Sequence, residues 1–250
     1  MPAQPAPAAA AAGGSGGLAP APLVLAWPCD LPVPTLAQER FLRSAVLPGT
    51  RAAIKAEPID FGALPPARRG AIAAAAAQAG VRLYQAISLR AQVLRSAAPF
   101  LFQGTEAATL VAATAFEDTV EARLRSGGCT LYETQAAQLR RLATTGAVAV
   151  ATPDFLLLAQ PVTIHGQLCH WVEVKRFFAC GLFEELRDWA ASRKSLQQLA
   201  KYVAAYGPGA VVFSLGFGQR YRESAPAGVV LLDGSQWEAD QADLFAVEIR

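Results

Sequence analysis

Between Pro161 and Leu215 the chain changes its hydrophobic period twice, and this limits the folds open to it. Residues 161–175 alternate like β structure, residues 187–206 repeat like a helix, and residues 210–215 form a short apolar run like a buried strand. His165-Gly166 marks a turn inside the first stretch, and Gly207-Pro208-Gly209 stops the helix sharply. Strand, strand, helix, strand requires a mixed α/β core.

The chemistry concentrates at one end of this pattern, in TPDFLLLAQPVTIHGQLCHWVEVK, residues 152–175. On a strand, Glu173 and Lys175 point to one face, with Trp171, while Val172 and Val174 point to the other. Asp154 precedes the apolar run Leu156-Leu157-Leu158. Two carboxylates can hold a hard divalent cation through oxygen. A lysine beside them can orient a water or stabilise charge on a phosphate. A solvent-facing strand would carry the same Glu/Lys spacing, so spacing alone leaves both readings open.

Further motifs narrow the choice. Gln138-Leu139-Arg140, TPDFLL at 152–157, HWVEVK at 170–175, Gln198 with Tyr202, YGPG at 206–209, Gly216-Phe217 and GVVLL at 228–232 occur in that order. Together they resemble the PD-(D/E)xK nuclease superfamily, and within it the TPD-motif family of the codanin-1-interacting nuclease. The resemblance implies an α/β fold with a restriction-endonuclease-like mixed sheet flanked by helices. It implies a metal-dependent nuclease that hydrolyses phosphodiester bonds, with DNA the favoured substrate. Asp154, Glu173 and the Val174 carbonyl would then hold Mg²⁺ or Mn²⁺. Lys175 would position the attacking water, and Gln198 would bond to Lys175, the water or a phosphate, braced by Tyr202. Nucleases of this fold often place an acid on a helix ahead of the PD strand. Glu133 is the candidate here, although a glutamate in a first helical turn is also stabilised by the helix dipole alone. The resemblance further implies residence in the nucleus or cytoplasm. Its alternative function is an inactive nuclease fold that binds a codanin-like chromatin protein.

The chain departs from the family in two places. The join between Gln-Leu-Arg and TPD is longer, and Phe177-Phe178-Ala179-Cys180-Gly181 replaces a small acidic loop after the lysine.

Three regions are expected: a disordered Ala/Pro/Gly tail over 1–22, a mainly helical region over 23–104, and the nuclease-like domain over 105–250. Leu23 to Trp27 reads as an extended strap. Thr35, with Gln38 three residues on, predicts a capped helix to about Leu47. Helices are expected over Ala67–Ala79, Val81–Ser96 and Glu106–Arg125, the last capped by Thr105 with an Ala112, Phe116, Val120, Leu124 stripe. Cys129–Tyr132 reads as a short strand, 136–143 as a helix and Phe245–Ile249 as a late strand. The net charge of +2 predicts no general nucleic-acid coat. Four scattered cysteines form neither a CxxC pair nor a zinc cluster. No apolar run approaches membrane-span length.

Overall fold

A computed structural model describes residues 23–27, 32–47, 53, 56–58, 60–97, 106–146, 151–179 and 190–238. The 1–22 tail, the Thr105 cap and the Phe245–Ile249 strand lie outside these residues. The fold is mixed α/β, with two sheets flanked by helices. Among the described residues no helix is long and apolar enough to cross a membrane.

The larger sheet has five strands: β2 (Glu133–Thr134), β3 (Phe155–Leu156), β6 (Trp171–Lys175), β7 (Gly209–Phe213) and β8 (Val229–Asp233), in the order β2-β3-β6-β7-β8. The β2/β3 and β3/β6 pairs are antiparallel, and β6/β7 and β7/β8 are parallel. Crossing from β6 to parallel β7 requires a long connection. The helix over Ala190–Tyr206 lies in it and ends at Gly207, whose φ of +80° the missing Cβ permits.

Two helices cover this sheet on opposite faces. The α4 helix (Glu106–Ser126) buries Ala112, Phe116, Val120 and Leu124, the expected stripe. Phe116, Val120 and Leu124 pack with Val172, Val174, Ala210 and Val212. The α6 helix (Ala190–Tyr206) places Leu199 and Tyr202 against Trp171, Val211 and Phe213. The alternation along β6 therefore does as expected: both valines serve one core, and Trp171 serves the other. Glu173 shares the Trp171 side of the strand.

The smaller sheet, β1-β4-β5, is built on the hairpin of β4 (Val162–Ile164) and β5 (Gln167–Cys169). His165 and Gly166 both have positive φ, 48° and 77°, which matches the right-handed twist of the flanking strands. The strap forms β1 (Leu23–Leu25) and pairs in parallel with β4. His165 Nε2 meets the Trp27 carbonyl at 3.1 Å and holds the end of that strap.

The N-terminal helices α1 (Leu36–Val46), α2 (Pro66–Gln78) and α3 (Leu83–Ala97) form a third cluster around Leu42, Ile72 and Leu89. Thr35 and Gln38 make the expected reciprocal cap. This cluster extends to Phe178 and Leu215, so the helical region packs onto the sheet-bearing part. Gln85 donates to the Leu215 carbonyl at 3.2 Å, and Gln92 to the Phe178 carbonyl at 3.1 Å.

One strand assignment is corrected. Cys129–Tyr132 is not a strand; pairing starts later, with Glu133 opposite Leu156 and Thr134 opposite Phe155. The side chain of Gln160 accounts for the difference. Its Oε1 accepts the Thr130 and Leu131 amides at 2.9 and 3.1 Å, and its Nε2 donates to the Gly128 carbonyl. These backbone groups are satisfied by a side chain, so they need no strand partner.

Candidate functional site

Four consecutive carbonyls hold the TPD segment in place. Tyr206 donates to the Ala151 carbonyl at 2.6 Å. Gln135 Nε2 and Tyr202 donate to that of Thr152 at 3.1 and 3.2 Å. Gln138, almost fully buried, donates to that of Pro153 at 2.8 Å, and the Gln135 amide to that of Asp154 at 3.0 Å. The donors come from α6 and from α5 (Gln135–Thr145), which Thr134 caps. The motif residues Gln138, Tyr202 and Tyr206 thus share one task. They fix the backbone from which Asp154 projects.

Asp154 and Glu173 are brought together by reciprocal contacts. The Asp154 amide donates to Glu173 Oε2 at 3.2 Å, and the Val174 amide donates to Asp154 Oδ2 at 2.7 Å. The Lys175 ammonium forms an ion pair with Glu173 Oε1. Glu173 is almost fully buried, while the Lys175 side chain stays partly exposed at the rim. The three residues therefore form one connected group at the meeting of β3 and β6.

Burial dominates the electrostatics. It raises the Glu173 carboxyl to about 7; repulsion from Asp154 adds to this, and Lys175 opposes it. The Asp154 carboxyl is also raised by burial, against the pull of the Val174 amide and Lys175. Two adjacent acids that both resist ionisation would be relieved by a cation between them. Hard carboxylate oxygens suit Mg²⁺ or Mn²⁺, so the donor set fits such an ion. Among the described residues no three His, Cys, Asp or Glu side chains converge as a ready-made metal cluster.

Glu117, on α4, is a member of this neighbourhood that sequence reasoning missed. Its carboxyl is raised first by burial, then by the negative charge of Asp154, and lowered by Lys175. It adjoins Phe116 of the buried stripe and stands on a helix ahead of the PD strand, where the resemblance implies an acid. Sequence spacing points instead to Glu133, which lies nearer to Asp154 in the chain. In the structure Glu133 sits in strand β2, not on a helix, and ion-pairs with Arg141 at 3.0 Å on the surface.

Gln198 is braced by Tyr202, as expected. Its amide donates to the Tyr202 hydroxyl, and among the described residues it makes no bond to Lys175. It lines an open cleft of about 490 Å³ with Gln135, Thr152, Lys194, Gln197 and Lys201. Burial and the charge of Glu173 both raise the Tyr202 hydroxyl well above its usual range, so it stays a neutral donor. Cys129 and Cys169 are free and buried; burial pushes the Cys169 thiol up to about 12, which makes it a poor nucleophile.

A family model described as a protein of unknown function with a TPD sequence motif matches residues 101–235, more than half of the 250. The match spans α4, the five-stranded sheet and α6, and so takes in every residue of the site. No curated protein and no solved structure matches the chain.

Proposed function

The chain belongs to the TPD sequence-motif family, and we propose that this member is a divalent-metal-dependent nuclease that hydrolyses phosphodiester bonds, with DNA the favoured substrate. The observation that carries the reading is the buried Asp154–Glu173 pair with Lys175 bound to it. Burying like charges together is costly and adds nothing to a fold that apolar side chains would stabilise better. Perturbed acids gathered at one strand end are the mark of a functional site. The five-stranded sheet, with a helix on each face, is read as a core of the restriction-endonuclease type.

In this reading Asp154, Glu173 and the Val174 carbonyl would hold Mg²⁺ or Mn²⁺, which supplies a water of lowered pKa and positive charge opposite the phosphate. Lys175 aims its ammonium at the attacking water and at the charge that grows on the phosphate oxygens. Its bond to Glu173 fixes that ammonium in place. Glu117 adds negative charge beside the pair and strengthens its hold on a cation. The bonds from Gln138, Tyr202 and Tyr206 keep Asp154 in position, the role expected of outer groups that orient ligands.

A cleavage assay tests this directly. Labelled single-stranded, duplex and flapped DNA, and RNA, are incubated with Mg²⁺, Mn²⁺ or EDTA. Cleavage that needs metal and disappears in Asp154→Ala supports the nuclease. Cleavage that persists in EDTA refutes it. No cleavage of any substrate, with no ion bound at millimolar metal, supports instead an inactive fold that binds a codanin-like protein.

A further inference from the structure

The cleft beside the carboxylate pair is lined by lysines and amides. It lies against α6 and the start of α5, has a volume of about 490 Å³, and presents Lys194, Lys201, Gln135, Gln197 and Gln198 with no carboxylate in its lining. Lys194 and Lys201 are exposed and make no ion pair among the described residues. Two turns of α6 separate them, about 10 Å along the axis. That spacing lets two ammoniums meet two separate phosphates of one chain rather than chelate a single anion. The three amides offer both donors and acceptors, which suit phosphate, sugar and base edges.

The cleft is also joined to the candidate site. Its floor includes Thr152, two residues before Asp154, and Tyr202, whose hydroxyl donates to the Thr152 carbonyl at 3.2 Å and feels the charge of Glu173. A strand lying on α6 along the two lysines would therefore run toward the acids.

We infer that this cleft is the track for an unpaired polynucleotide strand, with Lys194 and Lys201 holding its phosphates and the glutamines lying along its nucleotides; the inference rests on the nuclease reading of the adjoining acids. The size of the cleft selects the form of the substrate. About 490 Å³ falls within the range of small-molecule sites. A flexible single strand can lay a nucleotide into such a hollow beside a basic track. A duplex is a stiff convex cylinder and cannot enter it.

Binding of a short labelled oligothymidylate to the full chain, followed by fluorescence anisotropy in EDTA across a range of salt, tests this without any cleavage. Lys194→Gln with Lys201→Gln should weaken binding about tenfold or more and reduce the slope of log affinity against log salt by about 1.4, since each phosphate contact on a single strand contributes about 0.7. The matching double arginine variant should retain the slope, and Asp154→Ala should still bind. The inference is overturned if the double glutamine variant binds like wild type. It is overturned equally if a hairpin duplex binds as tightly as the strand, or if an acidic peptide competes as well as the oligonucleotide. Unchanged binding by the glutamine variant alongside metal-dependent cleavage by wild type would refute the track and leave the nuclease standing. Lysine-dependent strand binding without cleavage would support the track and count against the nuclease.

Discussion

The backbone amide of Asp154 donates to the carboxylate of Glu173 at 3.2 Å. This bond joins the two acids where β3 meets β6, and the Glu173 carboxyl is raised by burial and then by the charge of Asp154. Most of the expected behaviour of the protein follows from that proximity.

The first consequence is a pH-dependent stability. Folding raises the Glu173 carboxyl from 4.5 to about 7 and raises Asp154 and Glu117 in the same direction. In this window the folded chain binds more protons than the unfolded chain, so stability is highest below the unfolded value and falls as pH rises toward 7. In EDTA the loss should reach up to about 3 kcal/mol for a shift of this size. Mg²⁺ should restore much of it at the alkaline end, because the ion binds the ionised pair. Thermal unfolding between pH 4.5 and 8 measures this. Glu173→Gln should flatten the profile; a melting temperature that climbs with pH in wild type would contradict the account.

The second concerns the division of labour at the site. Asp154→Ala and Glu173→Ala each remove a carboxylate ligand and should weaken metal affinity as well as rate, with partial recovery at high Mg²⁺. Lys175→Ala should leave metal affinity nearly unchanged or slightly tighter, because a nearby positive charge is gone. Its rate should still fall by about 10²-fold or more. Lys175→Arg should rescue only in part, since a planar fork replaces a compact ammonium. Calorimetry of metal binding set beside single-turnover rates separates the two effects. An Asp154→Ala/Lys175→Ala double variant as active as wild type would end the proposal.

Glu117 gives a third. Glu117→Gln keeps the shape of the side chain and removes its charge. The Mg²⁺ concentration for half-maximal cleavage should rise, and activity at limiting metal should drop by about 10–100-fold, the range for groups that support a metal site from outside. A merely structural glutamate would alter the melting temperature and leave the Mg²⁺ dependence where it was.

The fourth lies below the site, in the packing. A Cβ at Gly209 would come 2.2 Å from the Trp171 ring, whose Nε1 is already held by the Gly207 carbonyl at 2.9 Å. The ring also lies 5.2 Å, centroid to centroid, from Tyr202, which helps fix the TPD backbone. Gly209→Ala should cost about 1–3 kcal/mol through overpacking and lower the melting temperature by several degrees. It should also slow cleavage more than a surface change of equal stability cost. A variant as stable as wild type would show that the ring can move freely.

The local pieces are legible in the chain, because their causes are local. Alternation along 171–175 sorted Val172 and Val174 from Trp171, Glu173 and Lys175. Thr35 with Gln38 announced a capped helix, and His165-Gly166 announced the hairpin. Asp154, Glu173 and Lys175 were legible because two lie on one strand and the third immediately precedes the strand beside it. Periodicity tells which face of a helix is buried, but not which strand end that helix crosses. Glu117 is therefore not legible next to Phe116, while Glu133, closer in the chain, lies in β2 against Arg141. The same limit applied to Gln138, Tyr202 and Tyr206. Their spacing placed them on helices, but only tertiary packing aimed their polar ends at the carbonyls of residues 151–153. A hydrogen bond is decided by position in space, and two helices far apart in sequence had to close on the same backbone before Asp154 had a fixed place.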